Sequence, residues 1–125
     1  MLGEHPVLPI LLSTDLAISR AFYHDTLGLE ILREDPDRTL YRSADTRLSI
    51  RLTNVRTKDP QTQLAWRVPD IHAAVADLRR RGVRIEEYTA PNPVTVNGIA
   101  DVGHSWAAWF IDPFDNVLAV VQDKF

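Results

Sequence analysis

The chain uses one pattern twice. Asp15-Leu16 opens an apolar-periodic stretch that ends at Gly28-Leu29, and Asp70-Ile71 opens another that ends at Gly82-Val83, about 55 residues later. An aspartate at such a start accepts from free helix amides, and a glycine just past the end adopts the left-handed conformation that closes a helix. Strand-like runs flank both helices, so the repeat predicts a β-α-β-β-β unit present in two copies. A length of 125 residues suits one domain made of two small halves sharing a core. We therefore expect a single domain over 1–125, with a first unit over 6–53 and a second over 62–123. A polar linker, 54–62, contains Pro60 and joins them.

In the first unit the strands are expected at 7–12, 29–34, 38–43 and 47–52, with turns at Asp35-Pro36-Asp37 and Ala44-Asp45-Thr46. In the second they are expected at 63–68, 83–88, 105–111 and 117–122. Ile71, Ala74, Val75 and Leu78 fall at i, i+3, i+4 and i+7, the spacing of one helix face. A sheet with a helix on one face leaves the other face to be covered. The expected fold class is α+β: two modules forming a curved mixed sheet, helices on the convex side and a concave ligand cup between the free faces.

Composition narrows the chemistry. With 45% hydrophobic and 25% charged residues the chain is a globular composition, and the absence of cysteine removes disulfides, thiolate metal sites and cysteine nucleophiles. A formal charge of −3 disfavours nucleic acid as a partner. No apolar run approaches the roughly 18–20 residues of a membrane helix, and the start carries no leader-like pattern. A cytoplasmic setting is expected. Arg79-Arg80-Arg81 closes the second helix, where cations complement the helix dipole.

Three segments carry a family signal: DLAISRAFYHDTLGLEI (15–31), WRVPDIHAAVADLRRRGV (66–83) and WFIDPFDNVLAVVQ (109–122). Together they resemble the vicinal oxygen chelate superfamily, which includes glyoxalase I, extradiol dioxygenases, fosfomycin-resistance enzymes and bleomycin-binding resistance proteins. The resemblance implies metal-ligand positions at Leu8, Ser49, Gln63 and Ala119. Only Gln63 is a plausible ligand there, and one neutral amide cannot hold a divalent cation. By this resemblance the metal site is dismantled, and no metal or other cofactor is expected. His5, His24, His72 and His104 lie at no metal-ligand spacing and are expected at the surface or in caps.

Strand alternation predicts the lining of the cup. If Pro113 to Asn116 form the last turn, Asp112 stands opposite Val117 and Phe110 opposite Ala119. Trp106, Ala108 and Phe110 then share the concave face with Ala119, and Trp109 enters the helix-packed core. Asp115 stands where the family has glycine; a different turn there shifts the set by one residue and substitutes Trp109 for Trp106. In the first module Leu40 pairs with Ser49, and Arg42, Arg47 and Arg51 join the concave side. Gln63, Ala65 and Arg67 are expected beside them, with Arg84, Glu86 and Tyr88 inward on their strand. The long segment TAPNPVTVNGIADVGHSW (89–106), with Val94, Val96 and Ile99, is a candidate lid.

The expected ligand-binding residues are therefore Trp106, Phe110, Ala119, Gln63, Arg51, Arg47, Tyr88 and Leu40, with no catalytic residue. Aromatic faces, small residues and arginines suit an aromatic ligand with polar or anionic groups. The function expected by resemblance to the metal-free resistance proteins is sequestration of an aromatic natural product or antibiotic by a homodimer, with no nucleic-acid or membrane partner. The alternatives are a metal-dependent lyase, isomerase or dioxygenase, a metal-free enzyme using Glu86, Tyr88 or His104 as acid or base, and a purely structural dimer.

Overall fold

The computed structural model describes residues 1–89 and 93–125. They form two compact units, Met1–Thr57 and Lys58–Phe125. Each has a four-stranded mixed sheet and, among the described residues, one α-helix.

In the first unit, β1 (Ile10–Ser13) leads into α1 (Leu16–Arg20), whose path continues as a π-helical turn over Ala21–Thr26. Asp15 accepts from the amides of Ala17 (2.9 Å) and Ile18 (3.2 Å), as the repeat predicts. Closure at Gly28 uses φ +81, with the Leu29 amide reaching back to the Tyr23 carbonyl. Strands β2 (Glu30–Asp35), β3 (Arg38–Ser43) and β4 (Thr46–Leu52) complete the sheet in the order β1-β4-β3-β2. β1 runs parallel to β4, and the other pairs are antiparallel. Alternation sends Leu11, Tyr41, Leu48 and Ile50 to the helix side, where Tyr23 joins them in a buried core.

The second unit repeats this order. β5 (Thr62–Arg67) precedes α2 (Ile71–Arg80), and β6 (Ala100–Asp101), β7 (Ser105–Ile111) and β8 (Val117–Asp123) give the sheet β5-β8-β7-β6. Asp70 caps α2 through the Ala73 amide, and Gln122 Oε1 accepts from the Ile71 amide at 2.8 Å, tying the helix start to β8. Ile71, Val75 and Leu78 are the buried stripe of α2, which packs on β7 and β8.

The expected strand over 83–88 takes another form. Val83 and Ile85 are buried under α2, and the Glu86 amide donates to the Trp109 carbonyl (2.8 Å), but no regular ladder develops. Tyr88 instead exchanges bonds with Thr95, its amide donating to the Thr95 hydroxyl at 2.8 Å. The short β6 pairs with the opposite end of β7, so two segments share that edge.

The expected lid divides too. Val96 and Ile99 bridge into a tight tip at Asn97-Gly98 that is tied to α2 by the Arg79 guanidinium, which donates to the Asn97 carbonyl. Gly98 sits at φ +83, and a Cβ there would come within 2.5 Å of Ile85 Cγ2, so only glycine lets the tip seat so closely. Part of the predicted loop, 90–92, lies outside the described residues.

Candidate functional site

The β7–β8 hairpin decides which aromatic residues share a face with Ala119. Its register sets Ile111 opposite Val117, Phe110 opposite Leu118 and Trp109 opposite Ala119. The expected pairing of Phe110 with Ala119 is therefore corrected by one residue. The cause lies in the turn. Asp112 leaves the strand to cap it, accepting from the amides of Phe114 (2.8 Å) and Asn116 (2.9 Å) and from the Asn116 side-chain amide (2.8 Å). Asp115 takes φ +68, so the turn spans five residues, 112–116, instead of four. The non-glycine residue at position 115 was the signal that the inward set shifts.

Two expected ligand residues consequently move to the helix side. Phe110 is buried and stacks on Trp66, ring centroids 6.0 Å apart. Trp106 is 37% exposed and lines a groove of about 500 Å³ with His72, Val75 and Arg79 of α2 and with Val94, Val96 and Ile99. The Lys124 ammonium lies 4.3 Å from the centre of the Trp106 ring and is paired with Asp101. The lid residues thus line a helix-side groove.

On the helix-free face of the second sheet, Trp109 forms the centre of a different groove, of about 480 Å³, lined by Pro60, Gln61, Thr62, Tyr88, Pro93 and Val117. Thr62 Oγ1 accepts from the indole Nε1 at 3.1 Å, which fixes the plane of the ring. Tyr88 meets Trp109 edge-on, centroids 5.6 Å apart at 87°. Ala119 is only 2% exposed and has Ala65 on its other side, so this part of the face is built from methyl groups. Glu86 and Tyr88 alternate with buried Ile85 on the segment beside Trp109. Burial first, and Glu86 second, raises the Tyr88 phenol above its ordinary value. Charges on this face pair off: Arg67 with Asp123 (3.0 Å) and Arg84 with Glu86 (3.5 Å).

In the first unit Leu40 pairs with Ser49 as expected, and Arg47 and Arg51 lie on the same face. Leu8 precedes β1 and is 44% exposed.

The residues at the family's metal positions do not fit a metal ion. Gln63 lies in a bulge of β5, between the paired Thr62 and Leu64, and its amide donates to the Gln61 carbonyl at 2.8 Å. Leu8 and Ala119 offer no donor atom and Ser49 offers one neutral hydroxyl. Among the described residues no group of three or more histidine, cysteine or acidic side chains is assembled for a cation. His24 holds the Leu29 carbonyl through Nδ1 at 2.7 Å, a capping contact, and His72 lies on α2. His104 precedes β7, where its carbonyl accepts from the Lys124 amide. Among the described residues no helix is long and apolar enough to cross a membrane.

Comparison with known proteins gives a consistent fold. The family model described as the Glyoxalase/Bleomycin resistance protein/Dioxygenase superfamily matches residues 5–120. No curated protein sequence matches significantly. Among solved structures, a glyoxalase/bleomycin resistance protein/dioxygenase from Alicyclobacillus acidocaldarius superposes with a TM-score of 0.74 at 16% identity, covering 97% of this chain and 92% of its own. An antibiotic binding protein from Streptomyces sp. CB03234 gives 0.65 at 22% identity, covering 96% of each chain. A lactoylglutathione lyase from Agrobacterium tumefaciens gives 0.65 at 18% identity, covering 94% of this chain and 92% of its own.

Proposed function

This chain belongs to the glyoxalase/bleomycin resistance protein/dioxygenase superfamily, and from that premise we propose that it binds and sequesters a small aromatic natural product or antibiotic without a metal ion. The observation that carries the reading is the Trp109–Tyr88 corner: two rings at right angles beside a methyl-lined face, in a groove with room for a small organic molecule. Offset or edge-on ring contacts add about 0.5–1.5 kcal/mol beyond simple burial. A ring held by the Thr62 hydroxyl loses little freedom on binding, which keeps the entropic cost low. Trp109 takes the role expected of Trp106, with Tyr88, Ala119 and Gln63 beside it. The antibiotic binding protein among the structural neighbours supports the ligand class by analogy of fold.

The test is titration calorimetry and tryptophan quenching against a panel of fused-ring and glycopeptide antibiotics. Saturable one-site binding that depends on Trp109 is expected. A folded protein that binds none of them overturns the reading. The wider reading, a homodimer working in the cytoplasm, is tested by sedimentation and by fractionation of source cells.

One observation favours a second reading, a metal-free acid–base enzyme. Tyr88 lines the groove and Glu86 stands two residues before it, so a phenol donor and a carboxylate acceptor lie on one segment beside the ligand surface. Unchanged turnover in Glu86→Gln and Tyr88→Phe variants, once a reacting ligand is found, removes it.

A further inference from the structure

Strands β3 and β4 place arginine directly opposite arginine at two points: Arg38 across from Arg51, and Arg42 across from Arg47. Opposed residues in an antiparallel ladder share a face with Cβ atoms about 5 Å apart, and like charges there repel. Leu40 and Ser49 pair between the two arginine pairs, on the same face by alternation, and Ile10 and Leu12 of β1 border them. The result is an apolar strip with a cationic pair at each end.

Only one arginine of each pair is neutralised. Arg42 meets Glu30, and Arg38 meets Asp35 at 3.4 Å; Asp35 also takes Arg33 at 2.9 Å. These two carboxylates are shared among three arginines of β2 and β3. Arg47 and Arg51 have no ion pair among the described residues, and both are exposed. The second unit differs: there Arg67 and Arg84 each have a carboxylate partner on the corresponding face. A chain of net charge −3 thus concentrates three uncompensated positive charges on one sheet face.

We propose that this face binds an organic dianion, with two carboxylate or phosphate groups joined by an apolar spacer. Arg47 and Arg51 are four residues apart on one strand, about 13 Å along β4 at 3.3 Å per residue. Each guanidinium takes one anionic group through paired N–H donors. The spacer lies over Leu40 and Leu12, and Ser49 supplies a central hydroxyl. The proposal goes beyond the aromatic-ligand reading by assigning the first unit a ligand surface of its own, and it rests on the helix-free faces being ligand surfaces.

The test uses no aromatic compound, so its failure is separable from failure at the Trp109 groove. Straight-chain dicarboxylates from succinate to dodecanedioate, matched monocarboxylates and inorganic phosphate are titrated by calorimetry at constant ionic strength. Affinity should rise with spacer length to a maximum, and the best dicarboxylate should bind about tenfold or more tighter than its monocarboxylate. Arg47→Gln and Arg51→Gln should each abolish the length dependence, and the melting temperature without ligand should not fall, because each change relieves a like-charge contact. Dicarboxylates no better than monocarboxylates, or a double variant that binds them unchanged, overturn the proposal. Phosphate binding equal to that of the best dicarboxylate also overturns it, since it would mean a single-anion site whose source is free phosphate.

Discussion

Trp109 stands directly across the β7–β8 ladder from Ala119, and this pairing gives the second unit an aromatic groove where the family carries a metal-binding carboxylate. Ala119 is closed in by its cross-strand neighbours, so a longer side chain must displace them. Ala119→Glu is therefore expected to destabilise the protein by about 1–3 kcal/mol from overpacking alone, with the burial of an unpaired carboxylate adding to it. Urea denaturation measures the loss. The variant should gain no affinity for Mn²⁺ or Zn²⁺ by calorimetry, because Gln63 is the sole further donor at the family positions of the second unit.

Trp109 and Trp106 separate two grooves on opposite faces of one strand. Trp109→Ala should weaken the aromatic ligand about tenfold or more, since such a residue contributes both ring contact and buried area. Trp106→Ala should leave that affinity within about twofold, as its ring lies on the α2 side. Quenching titrations of the two variants against one ligand read the difference directly.

How far the sequence carried depended on what set each feature. Caps at Asp15 and Asp70 and glycines at 28 and 82 act locally, so the repeat and the helix ends were legible. The Leu40–Ser49 pairing followed from a short turn of ordinary geometry. The facing of Trp106, Trp109 and Phe110 depended on a single turn residue, and strand alternation turns a one-residue change into a reversal of every side chain. Asp115 gave that warning in the sequence, but only the geometry of Asp112 decided it. The 83–88 segment has the alternation of a strand, whereas its hydrogen bonds depend on the distant Thr95 and Trp109.

Asp112 holds the turn through three accepted bonds, all buried. Asp112→Ala leaves two backbone amides and the Asn116 side chain without this acceptor, and about 2–4 kcal/mol of stability should go with it. Asp115→Gly should act in the other direction, because glycine accepts φ +68 without the side-chain penalty; a gain of up to about 1 kcal/mol is expected. Chemical denaturation with an unchanged m-value would show that both effects belong to the native turn.

Acid should loosen the C-terminal end of β8 selectively. The Lys124 ammonium, donating to the Asp101 carboxylate, holds that group below its ordinary value of 3.8, and the Gly103 amide adds to the effect. A carboxylate whose folded pKa is depressed stabilises the fold fully above its unfolded value, and that contribution disappears as pH falls through the folded value. The pair is exposed, so the global change is small and salt-dependent. Its local consequence is larger: once Asp101 is protonated, Lys124 is no longer held over the Trp106 ring. Trp106 emission, read in a Trp66→Phe, Trp109→Phe background that leaves it the sole tryptophan, should therefore titrate below pH 3.8. Lys124→Met should remove that titration, and high salt should weaken it in the parent. If the emission change persists without Lys124, the ion pair does not control the position of the ring.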